Sequence, residues 1–296
     1  MLPTAGSLKA IRQNAKVSRA GKPYLGIGNP LVEGPNGNDR RAFAIEGCQW
    51  HDQALPARVP EVERIQLGPR NVSEYFRGSL ANVAEIRRLS PLPETATELC
   101  QIGRGLGGGE DSILLGSAAT ETAIKRLSAA GKLAEYRVLH FATHGLIAGE
   151  FGDLAEPALV LSPPETASEE DDGLLAASEV AGLKLDADWV ILSACNTAAG
   201  DQSNAEALSG LARAFFYAGA RALLVSHWPV NSGAAVELTT VAFQEMRKAE
   251  AAGVSMGRAE ALRNAMLALI DTGSAREAHP TIWAPFVLVG EGGAGR

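Results

Sequence analysis

Trp189–Ala194 (WVILSA) is an almost unbroken apolar run bounded by polar, turn-forming residues. A strand with one wet face would alternate apolar and polar side chains. A short continuous run fits a strand covered on both faces, as in a parallel sheet flanked by helices. The same reading applies to Tyr136–Ala142 (YRVLHFA), Ala158–Leu161 (ALVL) and Ala222–Ser226 (ALLVS). Helical segments are predicted at 94–104, from Thr120 to about Ala130, at Ala176–Leu183, at Glu206–Ala218, and over 232–251 and 255–271. Shorter strands are predicted after Tyr24, at Ile113–Leu115 and at Pro285–Val289. This alternation predicts an α/β fold with a mostly parallel central sheet and helices on both faces.

Order is uneven along the chain. Residues 31–78 hold Gly, Pro, Asn and Arg without a sustained period and read as a long loop, with one short element near Val59–Leu67. The expected organisation is therefore one domain over 1–296. Its irregular part is 1–90 and its regular core is 91–296. Leu8, Ile11 and Ala15 interleave with Lys9, Arg12, Lys16 and Arg19, which suits an amphipathic helix over 7–20. Glu169, Glu170, Asp171 and Asp172 read as an exposed, mobile acidic loop.

Charge and cysteine usage exclude several functions. Lys and Arg number 27 against 34 Asp and Glu, a net −7, so a general nucleic-acid binder is not expected. No apolar run is long enough to span a membrane. Cys48, Cys100 and Cys195 are odd in number and form no CxxC pair. Neither a disulfide framework nor a structural zinc site is expected, and a reducing, cytoplasmic setting fits. Gly103-Arg104-Gly105-Leu106-Gly107-Gly108 matches GxGxxG but follows a helix instead of a strand, so it reads as a helix stop and not a nucleotide site. His140 and His144 lie on a strand, with no third ligand beside them, so no metal or other cofactor is expected.

A sharper constellation remains. His144-Gly145 follows one buried strand, and Ser193-Ala194-Cys195-Asn196-Thr197 ends another. Parallel strands end side by side, at the edge where open α/β sheets bind ligands. His144 and Cys195 can therefore meet as a Cys/His dyad; a core thiol beside an incidental histidine is the alternative.

VLHFATHGL at 138–146, EPALVLS at 156–162, the stretch 171–201 with its LSACNT, and GLARAFFYAGARALLVSHWPVN at 210–231 together resemble the CHAT domain. LGIGNP at 25–30, LPETATEL at 92–99 and WAPFVLVG at 283–290 extend the likeness in collinear order. The resemblance implies a caspase-like fold and peptide-bond hydrolysis, with His144 and Cys195 as catalytic residues. The backbone N–H groups of Gly145 and Cys195 are the expected oxyanion donors. His140 is expected to pack behind them, with Cys48 and Cys100 structural. A protein or peptide substrate follows, and a tetratricopeptide-repeat or other regulatory partner is a further expectation. A substrate pocket is expected among Asp153, Asp172, Asp201, Glu206, His227 and Trp228. His227 and Asn231 depart from the family's usual S-L-W-P-V-D pattern there, which puts any inherited specificity in question. The competing reading is a CHAT-like interaction module without catalysis.

Overall fold

A computed structural model describes residues 18–45, 47–48, 76–77, 80–146, 156–193, 208–226, 232–275 and 277–293, with backbone alone at 76–77, 208–209 and 232–236. Its centre is a six-stranded sheet. The strands are β1 (Lys22–Gly28), β4 (Ile113–Leu115), β5 (Tyr136–Ala142), β9 (Trp189–Ser193), β10 (Ala222–Ser226) and β11 (Phe286–Gly290). They lie in the order β11-β10-β9-β5-β1-β4. All neighbours are parallel except β10 and β11, which pair antiparallel. β2 (Phe76–Arg77) and β3 (Leu80–Ala81) form a separate short antiparallel pair, followed by the short helix α1 (Val83–Arg87).

The apolar runs sort by parity onto two faces. Leu139, Phe141, Val190, Leu192, Leu223 and Val225 face α3 (Glu121–Ala129), α4 (Ala177–Gly182) and α5 (Leu208–Ala218) in one core. Val138, Ala142, Trp189, Ile191, Ala222 and Leu224 belong to a second core with α2 (Glu94–Gly105), α6 (Ser232–Ala251) and α7 (Arg258–Thr272). The expected mostly parallel sheet with helices on both faces is what the chain forms. Every residue of β9 is buried, and β5 and β10 flank it. Both double-sided burial and central placement follow from its unbroken apolar run.

Helix α2 sits unusually close to β1. A Cβ added at Gly28 would lie 2.4 Å from the Ala142 carbonyl oxygen and 2.7 Å from Leu99 Cδ1. Only glycine permits that approach. The helix ends as the glycine run predicts. Gly107, at φ +78°, donates to the Arg104 carbonyl, and Gly108 donates to that of Gly103, closing the last turn.

Four expectations change. Ala158–Val160 is a strand, but it joins a small antiparallel sheet, β6 (Gly145–Leu146), β7 (Ala158–Val160) and β8 (Leu174–Ala176), outside the central one. Cys48 and Cys100 are joined as a disulfide with Cα atoms 5.6 Å apart, where the cysteine pattern pointed to reduced thiols. The fold lays the segment after Ala42–Ala44 along α2, so proximity arises across 52 residues of sequence that no local spacing announces. That bond removes the cysteine argument for a reducing compartment. The acidic loop is only half as open as its charge suggests. Glu169 and Glu170 are exposed, whereas Asp171 and Asp172 are half-buried and accept backbone N–H bonds. Ser18–Ala20 are not helical; the rest of the helix predicted over 7–20, and the element near Val59–Leu67, lie outside the described residues. Among the described residues no helix is long and apolar enough to cross a membrane.

Candidate active site

The parallel strands carry their last residues to one edge in register. Gly28 pairs with Ala142, and Ala142 with Ser193. His144 follows Ala142 by two residues, and Cys195 follows Ser193 by two.

His144 is buried and pinned by its neighbours. The Thr143 hydroxyl donates to the Val160 carbonyl, and the Val160 N–H donates to the His144 carbonyl at 2.9 Å. The His144 Nε2 lies 2.7 Å from the Ser90 carbonyl oxygen. A carbonyl only accepts, so Nε2 carries the proton. In the neutral ring Nδ1 is then the basic nitrogen, and no described residue bonds it. Burial lowers the affinity of this imidazole for a second proton; the Ser90 contact opposes the shift without reversing it.

The Ser90 carbonyl is held by its surroundings. Pro91 and Pro93 follow it, fixing φ at both and restricting the residue before each. Thr95 Oγ1 donates to the Leu92 carbonyl at 2.6 Å and accepts from the Asn29 N–H at 3.0 Å. Asn29 adopts φ +49°, a left-handed conformation that Asn tolerates, and its Nδ2 donates to the Ala42 carbonyl. The end of β1 thereby holds the segment that faces His144.

Gly145 pairs with Leu159 in the antiparallel ladder. Because Val160 N–H bonds the His144 carbonyl, the Gly145–Leu159 pair is of the non-hydrogen-bonded kind. The Gly145 N–H is therefore not spent on β7.

A second polar cluster lies under α2. The Tyr24 hydroxyl is 2.9 Å from His140 Nδ1, His140 Nε2 is 3.1 Å from Glu98 Oε1, and the Ser193 hydroxyl donates to Glu98 Oε2 at 3.2 Å. Tyr24, Glu98 and His140 are each fully buried. Burial first, and the Glu98 charge second, push the Tyr24 phenol well above its ordinary range, so it stays protonated. The His140–Glu98 contact is short but bent away from hydrogen-bond geometry, and neither atom has another partner among the described residues.

The CHAT domain model matches residues 1–291. The chain belongs to the CHAT domain family. It is similar to tetratricopeptide repeat protein 28 of Mus musculus, at 27% identity over 230 residues, covering 68% of this chain and 9% of that protein. The same-named protein of Homo sapiens is 26% identical over 234 residues, covering 68% of this chain and 8% of that one. This CHAT domain thus spans less than a tenth of the length of those relatives. Its mostly parallel sheet, covered by helices on both faces, is the caspase-like arrangement that the family implies.

Within the CHAT domain, His144 and Gly145 sit at the C-terminal edge of the central sheet. Asp172 is a loop brace: its carboxylate accepts the Ala81 N–H at 2.9 Å and the Leu174 N–H at 3.0 Å, while burial raises its proton affinity. Cys195, Asp153, Asp201, Glu206, His227 and Trp228 lie outside the described residues. The sequence reading missed Ser90, which acts through its backbone and so leaves no side-chain signature. It also gave Glu98 no role beyond membership of the helix predicted at 94–104. The available signal was Glu98 on the face of α2 that carries Thr95, Leu99 and Ile102.

Proposed function

We propose that this CHAT domain is a cysteine endopeptidase that hydrolyses peptide bonds in protein substrates through Cys195 and His144. The observation that carries the reading is the state of His144. Its Nε2–H is fixed on the Ser90 carbonyl and its Nδ1 is left basic, at the end of the strand beside the one that leads into Cys195. A histidine serving only the core would have both ring nitrogens engaged, as His140 nearly does.

The chemistry follows from that state. A free thiol has a pKa of about 8.5, so little thiolate exists at neutral pH. Cys195 Sγ attacks the scissile carbonyl carbon while its proton passes to His144 Nδ1. The C–N bond then breaks, and His144 gives that proton to the departing amine. Water attacks the resulting thioester, His144 takes the water's proton and returns it to sulfur, and the acid product leaves. The N–H groups of Gly145 and Cys195 stabilise the oxyanion, each worth about 3 kcal/mol in such sites. Asp153, Asp201, Glu206, His227 and Trp228 supply the pocket that selects the substrate side chain. The long repeat-named relatives support a tetratricopeptide-repeat neighbour or partner that delivers substrate.

Cleavage of fluorescein-labelled casein tests the proposal. The domain cleaves it, Cys195→Ala abolishes cleavage, and His144→Ala reduces it by about 10²- to 10⁴-fold. Undiminished cleavage by folded Cys195→Ala protein would refute the assignment.

A further inference from the structure

The Tyr24–His140–Glu98–Ser193 cluster has no part in the mechanism above, yet it places a carboxylate in the sheet interior. Burying a carboxylate is costly unless it is paired and hydrogen-bonded. The Ser193 hydroxyl donates to Glu98, and His140 faces it across a short contact bent away from hydrogen-bond geometry. Tyr24 keeps its proton and gives it in a hydrogen bond to His140 Nδ1. The ring proton then sits on Nε2, facing Glu98 Oε1, and the Ser193 hydroxyl closes on Oε2. The three strands that meet the cluster are β1, β5 and β9. The last of them ends at Ser193, two residues before Cys195.

We propose that Glu98 is a positioning residue: through Ser193 it fixes the end of β9 against β5 and so sets where the cysteine stands relative to His144. The Tyr24 hydroxyl orients the His140 ring, which faces the carboxylate, and α2 supplies that carboxylate to the sheet. The Gly26 and Gly28 positions on β1 let α2 descend far enough for Glu98 to reach Ser193. A Cβ at Gly26 would come within 3.1 Å of Leu99, one residue along the same helix. A reaction between fixed groups is sensitive to small misplacements, and a shift of about 1 Å costs up to 100-fold in rate. Binding of substrate does not depend on the same alignment. The cluster should therefore act on kcat and leave KM alone. The inference rests on the peptidase reading for its kinetic arm and not for its structural one.

Ser193→Ala is the mildest test, since it removes one hydroxyl. With fluorescein-labelled casein, kcat should fall about tenfold while KM stays within about twofold. Ser193→Thr, which keeps the hydroxyl, should restore kcat. Glu98→Gln keeps an acceptor for Ser193 and should retain most of kcat, whereas Glu98→Ala should not. Amide hydrogen exchange at Leu192 and Ser193 gives a readout that needs no activity: it should accelerate about tenfold in Ser193→Ala and return with Ser193→Thr. Wild-type kcat and wild-type exchange in Ser193→Ala would overturn the proposal. So would a Glu98→Gln variant as impaired as Glu98→Ala, because charge and not position would then be at work. Absent casein cleavage in the wild type refutes the peptidase reading alone, and the exchange comparison still decides the role of Glu98.

Discussion

His140 lies inside β5 and His144 two residues beyond its end, and both are buried, yet they stand in opposite chemical situations. His140 is enclosed between Tyr24 and Glu98, with a polar atom facing each ring nitrogen. His144 spends Nε2 on one backbone carbonyl and leaves Nδ1 to its surroundings. The difference lies in what packs above each ring. α2 covers His140 with a carboxylate, while the proline-bracketed segment at Ser90 offers His144 only an acceptor. Which nitrogen is occupied, and by what, separates an interior brace from the base of the proposed mechanism.

The comparison makes opposite demands on the two residues. His140→Phe leaves the buried Tyr24 hydroxyl without its acceptor and sets an apolar ring against the Glu98 carboxylate, so it should lower unfolding stability by about 3 kcal/mol in urea titration. His144→Phe loses one hydrogen bond to a carbonyl and should cost only about 1 kcal/mol. Its effect should fall on catalysis. Equal destabilisation by both would erase the distinction. A smaller effect separates them by pH. Burial holds His144 below the usual 6.5, so between its folded value and 6.5 the unfolded chain binds more protons than the folded one. Stability should thus be full above about pH 6.5 and decline as the pH falls through the folded value. His144→Phe should flatten that decline when unfolding free energies are compared from pH 5 to 7.5.

Much of the framework is readable from residue order. The apolar runs at 136–142, 189–193 and 222–226 announced two-sided burial, and the sheet places them side by side. The edge shared by His144 and the strand leading to Cys195 follows from parallel strands alone. What escaped was non-local or not written in side chains. The Ala158–Val160 run is as apolar as the others, and burial does not say which sheet it joins. The Cys48–Cys100 bond depends on a loop crossing α2, which sequence spacing cannot show. Asp171 and Asp172 looked like repelling surface charge, but backbone N–H groups absorb them. Ser90 contributes a carbonyl that every residue possesses; its role comes from the prolines that fix it and the Asn29–Thr95 contacts that hold it.

The central claim is that His144 is the base for Cys195. It is tested most directly by the rate at which a panel of peptidyl chloromethyl ketones, varied at the residue next to the ketone, labels the folded protein, with the modified cysteine located by mass spectrometry. With His144 as the base, one equivalent is expected on Cys195, none on the disulfide-bonded Cys48 and Cys100, and labelling slowed at least about 100-fold by His144→Ala. Labelling of Cys195 at the same rate in the His144→Ala protein, or no labelling of Cys195 by any member of the panel, would contradict it.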